Sequence, residues 1–184
     1  MDSSYKNREA KLFIRQCSTL VGAASVPIFF VPNADFVALA STWTKMMTYI
    51  SELHEVRFSE KPEAFIGSII AGLAAYKTGG IVITVGATAL LTAVSGGLFL
   101  LLGTGGIVLS NALLNAFFTW KLGNNMNRMF SEKRRLCVGA EATKILIKSF
   151  IKDLCYVPSM AEIKEFWQDT GLTFSEVKSW LKNR

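Results

Sequence analysis

Residues 79–120 read GGIVITVGATALLTAVSGGLFLLLGTGGIVLSNALLNAFFTW, and the architecture of the whole chain depends on this segment. It lies within 43 consecutive uncharged residues between Lys77 and Lys121. One helix needs about 20 mostly apolar residues to cross a bilayer. Glycine, alanine and serine are frequent here, and such small residues let helices approach closely. We therefore predict a glycine-rich apolar helical hairpin over about 79–120, with helical pieces at about 81–102 and 106–121.

The charged residues lie outside this segment. The chain has 184 residues, a formal net charge of +6, 51% apolar residues and 18% charged residues. A typical soluble domain has about 25% charged residues, so the composition argues against a disordered chain and against a conventional cytosolic enzyme. Residues 1–63 carry seven basic and seven acidic groups, whereas residues 121–184 carry twelve and seven. Basic residues on both sides predict that both ends of the hairpin lie on the cytoplasmic side of a membrane.

Two amphipathic helices are predicted before the apolar segment. The first covers residues 5–25 and ends at Pro27, and Phe13, Cys17, Leu20 and Ala24 recur in it at helical spacing. The second begins near Asn33, and its continuous apolar face consists of Phe36, Ala40, Trp43, Met47, Ile50 and His54. Leu39, Met46 and Leu53 form a second apolar row, so this helix should pack on more than one side. A further helix is expected over residues 64–76.

A charged linker over residues 126–136 and an amphipathic helix over residues 137–155 are predicted after the apolar segment. Pro158 and Ser159 then start another helix, which Gly171 ends. Its inward side chains are expected to be Met160, Ile163, Phe166 and Trp167. The four residues from Thr173 to Glu176 match a capping box, which predicts a C-terminal helix-turn-helix pair.

These elements predict an all-α protein. The β-branched residues 81–85 favour a strand by propensity, but no partner strand is evident elsewhere in the chain. We expect a helical bundle around the apolar hairpin. We predict that the chain consists of two parts, a helical module over residues 1–135 and C-terminal amphipathic helices over residues 136–184.

The order of motifs over roughly residues 10–132 resembles a bacterial family of unknown function. That family includes the YcjF inner-membrane protein and the helical tails of some Era-like GTPases. The matching positions are Pro27, Pro32, Asp35 and the closing Gly123. The resemblance implies an α-helical module that is tied to membranes or appended to a GTPase, and it implies no catalytic mechanism. This chain contains no G-x-x-x-x-G-K-[ST] motif, so a GTPase would have to be a separate protein partner.

A second, local resemblance covers residues 158–184, which are similar to the recognition-helix region of homeodomains. The Trp-Phe-x-Asn-Arg pattern of that family falls on Trp180, Leu181, Asn183 and Arg184. In that family the Asn contacts adenine, which implies nucleic-acid contacts for Lys182, Asn183 and Arg184. Leu181 departs from the pattern, and no basic N-terminal arm is evident. The alternative is a helical hairpin that buries two tryptophans.

No residue pattern predicts catalysis, a metal site or a cofactor. His54 is the one histidine, and no motif places an acid or thiol beside it. The three cysteines have no C-x-x-C spacing, so we expect buried free thiols. The predicted membrane-surface residues are Lys133, Arg134, Arg135, Lys144, Lys148 and Lys152. Basic side chains of this kind bind anionic headgroups, although a solvated helix face explains them equally well.

Three functions follow from these patterns. The first is a non-enzymatic, membrane-associated helical module that acts through protein partners, with a GTPase as a candidate. The second is a soluble binding or effector-neutralising protein that buries the hairpin. The third is DNA binding through the C-terminal pair. Membrane lipid is the favoured partner, nucleic acid is the least favoured, and a homo-oligomer stays open. The expected location is the cytoplasmic side of the inner membrane or the cytoplasm.

Overall fold

The computed structural model describes residues 2–28, 34–56, 66–69, 104–132, 148 and 158–180. Helices account for 89% of these residues and none of them lies in a strand, so the predicted all-α class is confirmed. The helices of these ranges are α1 (Ser3–Ile28), α2 (Ala34–Leu53), α3 (Thr104–Ser131), α4 (Met160–Thr170) and α5 (Phe174–Ser179). Residues 66–69 and 148 are also helical. The predicted piece at 81–102 lies outside the described residues, as does the 137–155 helix apart from residue 148.

The three long helices pack against one another in a defined order. In α1 and α3, Ser25 contacts Asn115 and Asn7 contacts Asn127, so these two helices are antiparallel. Hydrogen bonds of Trp43 with Thr119 and of His54 with Asn127 show that α2 runs parallel to α3. The prediction that α2 packs on more than one side is confirmed, because both of its apolar rows contribute buried residues: Leu39, Trp43, Met46, Met47, Ile50 and His54.

Helix α3 is the central element and differs from its prediction. We expected a helix over about 106–121 followed by a charged linker from residue 126, but the helix begins at Thr104 and continues to Ser131. The linker prediction is wrong for residues 126–131. Leu122, Met126 and Phe130 recur every four residues and are each fully buried. This apolar stripe keeps the chain helical, because an unwound backbone there would lose its internal hydrogen bonds beside the core.

Two glycines allow the close approach of α1 to its neighbours. A Cβ atom on Gly123 would lie 2.7 Å from Ile14 Cγ1 of α1 and 3.1 Å from Met46 Sδ of α2. A Cβ atom on Gly22 would lie 2.6 Å from the ring of Trp180. The missing side chain of Gly123 therefore makes room for α1 and α2, and that of Gly22 makes room for Trp180 in the C-terminal region.

Two short helices, α4 and α5, lie in the C-terminal region. Ser159 caps α4 and Thr173 caps α5, each in a complete capping box. Gly171 ends α4 in the left-handed conformation with φ 60°. The pair contacts α1 and α3, and it buries Ile163, Phe166, Val177 and Trp180. The division into 1–135 and 136–184 stays a prediction.

Two apolar side chains at helical spacing are exposed, and the prediction that Met160 turns inward is wrong. Leu20 of α1 is 61% exposed and Met160 of α4 is 66% exposed. Leu20 follows Cys17 by three residues and falls on the edge of α1 that turns away from α3. Met160 occupies the first turn of α4, ahead of the first buried position, Ile163.

Candidate functional site

The outer face of α1 carries three basic side chains next to one another. Arg8, Lys11 and Arg15 are all exposed, at spacings of three and four residues. Side chains at these spacings are neighbours on one helix face. The opposite face of α1 packs against the rest of the bundle and buries Ala10, Ile14, Cys17 and Val21. This packing fixes the position of the basic face.

Large apolar side chains are exposed beside these cations. Tyr5 is 41% exposed, Leu12 is 47% exposed and Leu20 is 61% exposed. The guanidinium of Arg8 lies 5.6 Å from the centre of the Tyr5 ring, in a cation–π contact. Helix α1 therefore presents a basic stripe and an adjacent apolar stripe on one solvent-facing surface. We call the six residues of the two stripes the α1 face.

A cleft of about 400 Å³ opens between the basic stripe and the end of α4. We call it the α1 cleft, and its walls are formed by Ser4, Asn7, Arg8, Lys11, Leu12, Arg15 and Asp169. Six of these residues belong to the first half of α1. Asp169, the seventh, comes from α4 and is the acidic member of the wall.

Asp169 is held in place from two sides. The buried indole of Trp120 in α3 donates a hydrogen bond from Nε1 to Asp169 Oδ2 at 3.2 Å. Lys11 Nζ lies 3.8 Å from the other carboxylate oxygen, Oδ1. Since the Lys11 side chain is 52% exposed and the Asp169 side chain 26% exposed, solvent reaches this ion pair and weakens it.

The side chain of Arg15 in α1 lies against the turn between α4 and α5. Its guanidinium is so close to Gly171 that a Cβ atom there would lie 2.8 Å from one of its nitrogens. This places a positive charge at the C-terminal end of α4, where the helix dipole favours cations. Hydrogen bonds from Thr173, together with the charge of Arg15, lower the pKa of Glu176 from its ordinary value. Arg15 thus joins the wall of the cleft to the C-terminal pair.

Three polar contacts in the interior join the long helices. Trp43 Nε1 donates to Thr119 Oγ1 at 2.8 Å, and Asn115 Nδ2 donates to Ser25 Oγ at 2.9 Å. His54 is 8% exposed and its Nε2 lies 2.8 Å from Asn127 Oδ1. Buried polar groups that are paired in this way specify one arrangement of the helices. Burial raises the pKa of the Cys17 thiol to about 11, which keeps it protonated at neutral pH.

The predicted site residues that the structure describes lie on different helices. Gly123 lies in the middle of α3, residue 27 in the last turn of α1, and residue 35 in the first turn of α2. Lys148 is helical and exposed. The others lie outside the described residues: Pro32, Lys133, Arg134, Arg135, Lys144, Lys152, Lys182, Asn183 and Arg184.

The α1 cleft was missed at the sequence level. The spacing of Arg8, Lys11 and Arg15 is visible in the sequence. By sequence alone, however, these residues indicate only that the apolar segment has a positively charged flank. Nothing in the sequence connects these residues to Asp169, which is more than 150 positions away. Within the described ranges, no cluster of three histidine, cysteine, aspartate or glutamate side chains could hold a metal ion.

Comparison with protein-family models, curated proteins and solved structures finds no match to this chain. The helices of the described part include none that is long and apolar enough to cross a membrane.

Proposed function

We propose that the protein is a non-enzymatic helical module that binds an anionic membrane surface through the α1 face. The observation that carries this proposal is the exposure of three cations beside three large apolar side chains on one helix. A helix with this pattern lies in the membrane interface, with its apolar side chains among the acyl chains and its basic side chains among the headgroups.

The electrostatic part of the binding energy follows from the number of cations. Each Lys or Arg near an anionic surface contributes about 1 kcal/mol. Arg8, Lys11 and Arg15 together therefore contribute about 3 kcal/mol, which is roughly a hundredfold in affinity. The net charge of +6 adds long-range attraction to the same surface. Tyr5, Leu12 and Leu20 add a contribution that does not depend on salt.

The rest of the bundle supports a surface-bound arrangement. The second piece of the apolar hairpin lies within α3, and its side chains are covered by neighbouring helices: Val108, Leu109, Ala112, Leu113, Ala116 and Phe117 are all at most 1% exposed. A helix buried in this way serves as a rigid core on which α1 is displayed. The proposal places the module on the cytoplasmic face of the inner membrane, and the family resemblance makes a GTPase the first protein partner to test.

DNA binding has less support than lipid binding. Trp180, which carries the homeodomain-like pattern, is 7% exposed and packs over Gly22 of α1. A packing role therefore accounts for the residue that suggested a recognition helix.

Vesicle flotation tests the proposal. The protein is mixed with neutral phosphatidylcholine vesicles, or with vesicles that also contain 30% phosphatidylglycerol. The test variant replaces Arg8, Lys11 and Arg15 with glutamine. The control variant replaces three exposed lysines outside the α1 face with glutamine, namely Lys45, Lys164 and Lys178. Both variants lose three positive charges, so a difference between them reports position rather than net charge.

We expect the wild-type protein to float with the anionic vesicles only. The test variant should lose at least tenfold in binding, and the control variant less than threefold. Circular dichroism checks that both variants remain folded. Equal loss in the two variants, or equal binding to neutral vesicles, would overturn the assignment to the α1 face. If the protein retards a DNA duplex in gel electrophoresis and does not bind vesicles, the DNA-binding alternative is favoured instead.

A further inference from the structure

We infer that the α1 cleft is a subsite for a phosphomonoester group and that Asp169 limits its affinity by competing for the same cations. The inference rests on the proposed function, because it assigns the headgroup that the α1 face would select. The same chemistry exists in a lipid such as phosphatidic acid and in free phosphate, so the experiment below separates these two sources.

The side chains of the cleft suit a tetrahedral oxyanion. Arg8 and Arg15 offer planar guanidinium groups, which bind phosphate oxygens with two parallel hydrogen bonds. Lys11 lies between them and supplies a compact point charge. Ser4 adds a hydroxyl from the wall of the cleft. The volume of about 400 Å³ is ample for one phosphate group together with several waters, since a water molecule occupies about 30 Å³.

A hydrogen bond from α3 orients the side chain of Asn7 in the wall of the cleft. Asn7 Oδ1 accepts a hydrogen bond from Asn127 Nδ2 at 2.5 Å. This bond fixes the amide so that Nδ2, the donor end, is the atom that can serve an anion in the cleft. Because Asn127 is itself held by His54 of α2, the orientation of Asn7 depends on the packing of all three long helices.

The charge balance selects a phosphomonoester over a phosphodiester. Three basic side chains and one carboxylate line the cleft, so the lining itself has an excess of two positive charges, and Glu176 faces Arg15 from outside the lining. A phosphomonoester carries about −1.5 to −2 charges at pH 7, so it matches this excess. A phosphodiester headgroup such as phosphatidylglycerol carries one negative charge and leaves part of the excess unpaired. The two headgroup types should therefore differ in affinity even at the same surface charge.

Asp169 acts as an internal competitor for the same cations. Its carboxylate already lies 3.8 Å from Lys11 Nζ, and the Trp120 hydrogen bond prevents it from turning away. An incoming anion must displace the Lys11 contact and tolerate a fixed negative charge nearby. The Asp169→Asn substitution keeps an oxygen acceptor for Trp120 and removes the charge, so it should strengthen phosphate binding.

The experiment compares two variants that each remove one negative charge from α4. Asp169→Asn alters the cleft, whereas Glu165→Gln alters an exposed side chain outside it. Binding is measured to inorganic phosphate at pH 7.5 and constant ionic strength, and to vesicles containing phosphatidic acid or phosphatidylglycerol at matched surface potential. A Lys11→Gln variant is measured beside Lys164→Gln as the matched pair for loss of a positive charge.

We expect the wild type to prefer phosphatidic acid by at least threefold and to bind inorganic phosphate. Asp169→Asn should raise phosphate affinity at least fivefold, Lys11→Gln should lower it by a similar factor, and the two control variants should stay within twofold of wild type. Equal effects of Asp169→Asn and Glu165→Gln, or no preference for phosphatidic acid, would overturn the inference while leaving membrane binding intact. Binding of free phosphate that depends on Asp169, without any vesicle binding, would support the subsite and overturn the proposed function.

Discussion

Replacement of Gly123 by alanine tests whether α1, α2 and α3 meet as closely as the structure shows. In an open helix, Gly→Ala stabilises by about 1 kcal/mol, because alanine loses less backbone freedom on folding. At Gly123 the added methyl would lie 2.7 Å and 2.9 Å from two carbons of Ile14 and 3.1 Å from Met46 Sδ. Carbon atoms normally approach no closer than about 3.5 Å, so the neighbours must shift.

Neither neighbour has room to move cheaply. Ile14 is 1% exposed, Met46 is fully buried, and the two carbons that Ile14 presents are attached directly to its stiff, branched Cβ. Overpacking of this kind costs about 1–3 kcal/mol. After subtracting the helix-propensity gain of about 1 kcal/mol, we expect Gly123→Ala to destabilise the protein by up to about 2 kcal/mol.

Urea denaturation followed by circular dichroism at 222 nm measures this effect, with Gly67→Ala as the control. Gly67 is helical and exposed, and a Cβ atom there would meet nothing within 4 Å. The control should therefore be stabilised by up to about 1 kcal/mol, and the two variants should differ by about 1–3 kcal/mol.

A double variant sharpens the test. Ile14→Ala removes both crowded carbons and alone should cost about 2–5 kcal/mol. Combined with Gly123→Ala, the loss should be smaller than the sum of the single losses by at least about 1 kcal/mol, because the new methyl fills part of the cavity. If Gly123→Ala stabilises as much as Gly67→Ala, or if the two changes simply add, the close crossing is refuted.

Three further predictions concern other parts of the bundle. Gly171→Ala should destabilise by about 1–2 kcal/mol in thermal unfolding, because an L residue is strained at φ 60° and its Cβ would displace the Arg15 guanidinium. Thr119→Val should cost about 1–3 kcal/mol in urea, because it keeps the side-chain shape but leaves the buried Trp43 Nε1 without its acceptor. In a variant whose other two cysteines are serine, Cys17 should react with a thiol reagent at pH 8 at least tenfold more slowly in the folded protein than in urea, since its pKa is raised to about 11.

The two stability predictions have matched control variants, and the Cys17 prediction is checked by comparing the folded with the unfolded protein. Gly171→Asn should recover the part of the loss that comes from the left-handed conformation, because asparagine tolerates it, while its Cβ atom would still displace Arg15. Thr44→Val changes a half-buried threonine of α2 and should have the smaller effect of the two valine substitutions. For Cys17, equal reaction rates in the folded and unfolded protein would contradict the burial of this thiol.

Local features of the fold were predictable from residue types and spacing. The all-α class, the start of α4 at Ser159, the Gly171 stop and the Thr173 capping box depend on contacts within about four residues along the chain. The 4-3-4 spacing of α2 likewise predicted its buried residues, because helix periodicity alone places those side chains on one side.

The errors of prediction lie where remote packing overrides local chemistry. The charged residues after Met126 suggested a linker, yet Met126 and Phe130 continue the apolar stripe of α3 because other helices cover them. Leu20 fits the helical spacing of α1 but falls where no neighbour covers it, and it is 61% exposed. Spacing shows which side chains share a face, and it does not show how far a partner helix extends over that face.

The candidate site shows the same division between sequence and tertiary structure. The sequence by itself determined that Arg8, Lys11 and Arg15 share one face of a helix, because their spacing matches the helical period. Only the tertiary structure decided that this face lines a cleft, since Asp169 comes from α4 and its carboxylate is held by Trp120 of α3. These groups are separated by about 50 to 160 positions in the chain, and the packing of α4 against α1 and α3 brings them within hydrogen-bonding and ion-pair distance. The charge balance that assigns a ligand to the cleft therefore exists only in the folded chain.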